Sequence, residues 1–497
     1  MLRSSALSHK TDIILVKPGS QKQIYGDLSD FALTGIEQPL WAALLAARLR
    51  QLGYSVILLD AEVENLSYAD TARAMADADA LLSCVVVSGT NPSASTMNML
   101  GAEQILKEFA AIALGADTLI MGLHPSALPE RTLRESGARF VCVGEGFTTL
   151  PALLDALKAG AADFAIPGLL YNEADGRVRV NPPAPTFENL DELPAPAWDM
   201  LPMERYRAHN WHCFGHINAR QPYAVIYTSL GCPYKCSFCC INTLYGRRGI
   251  RYRSLEGVVA EIDMLVERWG VKNIKILDEM FALDEKRVER LCEMLIERGH
   301  DLNIWAYARV NTVTEPMLAK MRAAGIRWLA YGFESASERV LKAVSKGYSM
   351  DQVATVVDWT RKHGIHICAN YIFGLPEDDY DSMNQTLAFM IDMNAEWANI
   401  YSTMAYPGSK LYDDAVKQGL PLPENWLGFS QYSPECLPLP TKYLTGGQVV
   451  AFRDYAFEAY FRNPRYLSMI ARTFGRETAD HILEMSAHRL RRKYASY

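Results

Sequence analysis

Ser229-Leu230-Gly231-Cys232-Pro233-Tyr234-Lys235-Cys236-Ser237-Phe238-Cys239 follows directly on the β-rich run Tyr223 to Thr228. Such a run, punctuated by Gly and Pro, predicts a strand leading into a loop. Three thiols are thereby gathered at a strand's carboxyl end. Soft thiolates suit zinc or an iron–sulfur cluster. With three ligands, one iron of a four-iron cluster stays open to a small molecule. Zinc needs a fourth ligand, and structural zinc sites often use two paired sets. No second Cys pair of that spacing lies nearby, and His209, His212 and His216 lie upstream, across the strand. Chance burial of cysteines does not account for their placement in a turn-forming loop. The reading is therefore a [4Fe-4S] cluster on Cys232, Cys236 and Cys239, with Cys240 a structural neighbour.

Downstream, strand–helix alternation continues. Candidate strands are Asn273 to Leu277, Asn303 to Ala308, Arg327 to Phe333, His366 to Phe373 and Trp397 to Met404. Six parallel strands close partway into a (β/α)6 barrel whose working edge is formed by their carboxyl ends. From Gly446 the chain reads as helical, and the basic run Arg489 to Lys493 reads as a solvated helix face. Upstream, Ile13 to Val16, Val56 to Leu59, Leu81 to Val87, Thr118 to Met121 and Phe140 to Val143 alternate with helical stretches. Five such units predict a Rossmann-like, doubly wound α/β domain, buried on both faces, with ligands outside its carboxyl edge. Between the two regions, Pro167-Gly168, Asn181-Pro182-Pro183 and Leu193-Pro194-Ala195-Pro196 mark a packed connector. It contains a hairpin, Leu169 to Tyr171 with Val178 to Val180. The expected division is 1–162, Rossmann-like; 163–222, linker; 223–412, barrel; 413–497, helical.

The chain's 497 residues and 49% hydrophobic content allow large cores. A formal net charge of -7 gives no reason to expect a nucleic-acid partner. No apolar run has the length of a membrane span, and the polar start is not a secretory signal. A cytoplasmic protein with reduced thiols is expected. Six of the ten cysteines (Cys84, Cys142, Cys213, Cys292, Cys368 and Cys436) are scattered and read as buried hydrophobes.

The CxxxCxxC spacing, with an aromatic before the third Cys, resembles the signature of the radical S-adenosylmethionine (SAM) superfamily. The resemblance covers about Tyr223 to Tyr412. It implies that the open iron binds the amine and carboxylate of SAM, and that an electron from the cluster cleaves the sulfonium to a 5′-deoxyadenosyl radical. It places Phe238 near the adenine. Leu277-Asp278-Glu279-Met280-Phe281 stands where the family binds the SAM amine, implying Glu279, and a carboxylate suits an ammonium in a dry site. Arg309, ending the third strand, would hold the SAM carboxylate. Gly332-Phe333-Glu334-Ser335 resembles the family's G-x-E-S segment, with Glu334 reaching polar groups of SAM. Asn370 to Glu377 resembles the G-x-I-x-G-x-x-E stretch flanking the adenine, which implies Ile372. Asn370 departs from it by replacing the first Gly.

A Rossmann-like domain before this barrel resembles the cobalamin-binding class of the superfamily. The residues that carry the likeness are Asn91 to Thr96, Gly122 to Glu130 and Gly144-Glu145-Gly146. Cobalamin contacts are implied for Asn91, Ser93, Ser95 and His124. The D-x-H-x-x-G motif that supplies a His to cobalt in other cobalamin proteins is absent. Cobalamin then binds without a His ligand, or the domain is a retained scaffold.

Three readings follow. The first is cobalamin-dependent methylation of a small-molecule carbon, with flavodoxin or ferredoxin as electron donor. The second is a radical SAM reaction without cobalamin: a cyclisation, or transfer of a 3-amino-3-carboxypropyl group as in arsinothricin-type biosynthesis. The third is a non-catalytic sensor.

Overall fold

The computed structural model describes residues 9–19, 24, 34–89, 94–173 and 175–496. They form two compact units. The first comprises Met1–Ser20, Pro39–Pro202 and Ile241–Arg247, and the second Gln21–Gln38, Met203–Cys240 and Arg248–Tyr497.

The first unit is built on strands β1 (Thr11–Lys17), β2 (Val56–Asp60), β3 (Ala80–Val87), β4 (Thr118–Gly122), β5 (Phe140–Cys142), β6 (Leu169–Asn172) and β7 (Val178–Val180). Their order is β2-β1-β3-β4-β5-β6-β7. The first five are parallel, and their apolar runs are buried throughout the centre, as a sheet covered on both faces requires. Strand order reverses between β1 and β3, which puts a crevice at their carboxyl ends. The hairpin β6–β7, which the sequence places in the connector, joins this sheet. It pairs antiparallel on β5, with Cys142 opposite Leu169, and so covers an edge that would otherwise stay open.

The second unit carries β8 (Tyr223–Ile226), a two-stranded ribbon of β9 (Ser229–Leu230) and β10 (Arg251–Tyr252), then β11 (Asn273–Ile276), β12 (Asn303–Ala308), β13 (Ile326–Glu334), β14 (His366–Phe373) and β15 (Trp397–Ser402). Six of these form a parallel sheet ordered β15-β14-β13-β12-β11-β8. Among the described residues β8 and β15 do not pair, so the barrel is partial. The Gln38 side chain stands in for a neighbouring strand on β8. Its Nε2 donates to Tyr223 O at 2.7 Å and its Oε1 accepts from Val225 N at 3.2 Å.

The segment 206–214 closes the amino-terminal mouth of the barrel. Trp211 stacks on His209 and Trp397 and tilts against Trp305, with ring centroids 5.2, 6.1 and 5.6 Å apart. His212 Nε2 pairs with Asn303 O at 3.0 Å. Burial pushes His209 down to about 4 and His212 to about 3, so both stay neutral.

The C-terminal helices are Gly446–Phe461, Pro464–Phe474 and Arg476–Ser486. The basic run does not extend them, which corrects the sequence reading. Arg492 is buried, bonds Asp454 at 2.7 and 2.8 Å, and donates to the carbonyls of Gln431 and Ser433. A bidentate carboxylate outweighs solvation of a lone guanidinium. Among the described residues no helix is long and apolar enough to cross a membrane.

Candidate active site

The thiol loop is held by backbone geometry. Gly231 has φ +98°, and a Cβ there would lie 2.5 Å from Gly249 O. Only glycine fits this close approach. Gly249 N donates to Cys232 O, Ser237 N to Val344 O, and Leu411 N to Ser237 O, at 3.0–3.3 Å. At the root of the loop Asp278 is fully buried. It accepts from Thr228 N, Thr228 Oγ1 and Ser229 Oγ at 2.5–2.6 Å. Burial raises its pKa against those bonds. Asp278 therefore joins the ends of β8 and β11.

Among the described residues no three His, Cys, Asp or Glu side chains are gathered to hold one metal ion. In a [4Fe-4S] cluster each thiolate would sit on its own iron. Cys232 and Cys236 are half-buried and Cys239 exposed, whereas Cys240 is buried. Burial pushes the Cys232 thiol up to about 11 and the Cys240 thiol well above its usual range. The six scattered cysteines are all buried, as expected.

The other sequence-predicted residues of this unit stand at neighbouring strand ends. Glu279 Oε2 accepts from Gly231 N at 3.1 Å. Arg309 is buried, with Nη1 3.6 Å from Cys236 Sγ, Nε bonded to Asn311 Oδ1 at 2.8 Å, and Cζ 4.0 Å from the Tyr234 ring centroid. Glu334 has φ +59°, a strained conformation for a side chain other than glycine. Its carboxylate pairs with Lys346 Nζ at 2.5 Å, both side chains being 8% exposed. Phe238 and Ile372 pack on the same buried trio of Val340, Val344 and Leu375.

Lys346 was not identified from the sequence. The helix Glu338–Ala343 ends with Ser345 left-handed (φ +59°), Lys346 N bonding Leu341 O and Ser345 N bonding Lys342 O. This is a Schellman turn. It brings Lys346 back to the strand end, 5.7 Å from the Phe238 ring. A Cβ at Gly332 would strike the Glu334 carboxylate and lie 2.9 Å from Lys346 Nζ, so the glycine makes room for the pair. Glu279, Arg309, Glu334 and Lys346 thus bring both signs of charge beside the apolar Phe238 and Ile372, a chemistry that suits a nucleoside bearing a zwitterionic tail.

In the first unit Asn91 and Ser93 lie outside the described residues. Ser95 and His124 are brought together at the ends of β3 and β4, both buried. Ser95 Oγ donates to Val87 O at 2.5 Å and accepts from His124 N at 2.9 Å, and Thr96 Oγ1 lies 3.1 Å from His124 Nδ1. Burial pushes His124 down to about 3, so the ring is neutral. These bonds fix the floor of the sheet edge. Close backbone there comes from Gly122 (φ +137°), whose added Cβ would strike Val87 O. It also comes from Gly144, whose N donates to Ser126 Oγ at 2.9 Å. The bare, polar backbone edge fits a large polar cofactor. His9 hydrogen-bonds Asp79 at the opposite end of the sheet.

The family model "Radical SAM superfamily" matches residues 226–390, and the model "B12 binding domain" matches residues 31–154. The chain is 30% identical to an uncharacterised methyltransferase of Pyrococcus horikoshii, over 86% of this chain and 89% of the relative. The chain belongs to the radical SAM superfamily. Within it, the chain is 28% identical to the anaerobic magnesium-protoporphyrin IX monomethyl ester cyclase of Rubrivivax gelatinosus, over 77% of this chain and 67% of the relative. The fold is shared with the radical SAM methyltransferase TsrM of Kitasatospora setae, solved with cobalamin and a [4Fe-4S] cluster bound. The TM-score is 0.69 at 18% identity, covering 96% of this chain and 99% of the other. The protein is thus a radical SAM enzyme with a B12-binding domain, and its cofactors are the [4Fe-4S] cluster, SAM and cobalamin.

Proposed function

We propose that this radical SAM enzyme is a cobalamin-dependent methyltransferase acting on a carbon of a small molecule. The observation that carries the reading is a three-thiol loop at the same strand ends as the Glu334–Lys346 pair, in a chain that also bears a B12-binding domain. When bound, the cluster supplies the electron that opens the SAM sulfonium, and the corrinoid supplies the methyl group. Cys232, Cys236 and Cys239 hold the cluster. Arg309 and Lys346 take the SAM carboxylate. Glu279 and Glu334 take the SAM amine. Phe238 and Ile372 flank the adenine and keep water from it.

In the first unit Ser95 and His124 position the loops that hold cobalamin, and cobalt takes no histidine from this unit. Residues 1–162 serve the corrinoid, 163–222 connect, 223–412 carry out the radical chemistry, and 413–497 cover the barrel. A flavodoxin or ferredoxin in the cytoplasm supplies electrons.

Anaerobic reconstitution with SAM and dithionite, followed by mass spectrometry of the nucleoside products, tests the reading. Corrinoid absorption together with 5′-deoxyadenosine is expected. Methylthioadenosine would instead indicate aminocarboxypropyl transfer. The similarity to the cyclase favours cyclisation as the second reading. Turnover with no corrinoid bound would select it.

A further inference from the structure

Glu334 stands at the apex of a turn that has its own clamp. The β13–β14 register shifts there, with Gly332 opposite Asn370 and Glu334 opposite Tyr371, so Phe333 is the extra residue of a bulge. Ser335 N donates to Phe333 O at 2.7 Å across Glu334, whose φ is +59°. An i→i+2 bond around a left-handed centre is the rare, strained kind of γ-turn. Such a conformation persists only where its surroundings hold it.

Tyr348 supplies that hold. Its OH lies 2.6 Å from Phe333 O and 2.9 Å from Gly332 O, so its single hydrogen is committed to the carbonyls of the bulge. The chain is folded to put it there. Ser345 and Gly347 are both left-handed, at φ +59° and +72°, which returns Lys346 and Tyr348 to the end of the same strand. On the far side, Ser349 caps the helix Met350–Lys362 in a reciprocal box with Gln352, at 3.0 and 3.4 Å. Burial, and after it the Glu334 carboxylate, raise the pKa of the phenol, so it stays neutral. The ring centroid also lies 5.7 Å from Arg309 Cζ and 5.9 Å from Lys346 Nζ. One side chain therefore adjoins both cations and fixes the backbone that carries the acid.

We propose that Tyr348 is a positioning residue for SAM recognition: through its hydroxyl it fixes the Glu334 turn, and with it the carboxylate that takes the SAM amine. The proposal rests on the reading that Glu334 binds that amine.

Equilibrium dialysis of SAM and of 5′-methylthioadenosine against the reconstituted holoenzyme tests it. The second ligand keeps the adenosine and the sulfur but lacks the amino-acid tail. Tyr348→Phe keeps the ring beside both cations and removes only the hydroxyl. It is expected to weaken SAM about fivefold, as loss of one hydrogen bond implies, and to leave methylthioadenosine within about twofold. Glu334→Gly keeps the left-handed turn at no steric cost and removes the carboxylate. It should lower the SAM-to-methylthioadenosine affinity ratio about tenfold or more. In that background Tyr348→Phe should move the ratio by less than about twofold, since no carboxylate is left to place. An affinity ratio does not depend on the folded fraction of a variant, so lost stability alone leaves it unmoved. The same fivefold effect in the Glu334→Gly background would overturn the proposal. So would an unchanged ratio in Tyr348→Phe where Glu334→Gly lowers it. An unchanged ratio in Glu334→Gly itself would refute the amine role of Glu334, and the proposal with it.

Discussion

Replacing Lys346 by Met should separate two roles of the buried Glu334–Lys346 pair. At 2.5 Å, with both side chains 8% exposed, the attraction is about 7 kcal/mol at an effective dielectric constant of about 20. Desolvation of both groups offsets much of this. Removing one partner leaves the other charged and buried, which costs about 3–5 kcal/mol. Lys346→Met should therefore lower the urea midpoint of the second unit markedly. The double variant Glu334→Gln/Lys346→Met removes both charges and should recover most of that loss. SAM affinity behaves differently. A hydrogen bond to a charged group contributes about 1.5–3 kcal/mol, so both variants should bind SAM about 10–150-fold more weakly by equilibrium dialysis. If Lys346→Met bound SAM within about twofold of wild type, or the double variant were no more stable than the single, the assignment would be wrong.

Cys236→Ala should abolish both the cluster absorption and SAM cleavage, while circular dichroism reports an intact first unit. Gly231→Ala should cost about 1–3 kcal/mol from its left-handed φ and the clash with Gly249 O, and iron content after reconstitution should fall with it. Asp378 accepts from Gly374 N, Leu375 N and Ser382 Oγ, yet burial raises it from 3.8 to about 6. A raised carboxyl binds its proton more tightly in the folded chain, so its contribution is fullest below about pH 4 and is lost as pH rises through about 6. Asp378→Asn should flatten the fall of stability from pH 4 to 7 by about 3 kcal/mol. An unchanged pH profile in denaturation would refute that assignment.

The strands and the thiol loop were legible because their signals are local. Apolar runs, Gly and Pro punctuation and a three-cysteine spacing all lie within a few residues. Glu279, Arg309, Glu334 and Ile372 were singled out by resemblance to motifs of the family, and they stand at or near the carboxyl ends of their strands. Lys346 was not, since its place depends on a left-handed Ser345 that no motif announces. The hairpin was found, but its attachment to β5 is a tertiary pairing without a local mark. Arg492 was misread because charge alone suggested solvent, and Asp454 is distant in sequence.

The Trp211 plug has a kinetic corollary. Its stacked rings close the amino-terminal mouth, so SAM and the molecule to be modified are both expected to enter past the carboxyl ends of the strands, and an excess of one should slow the binding of the other.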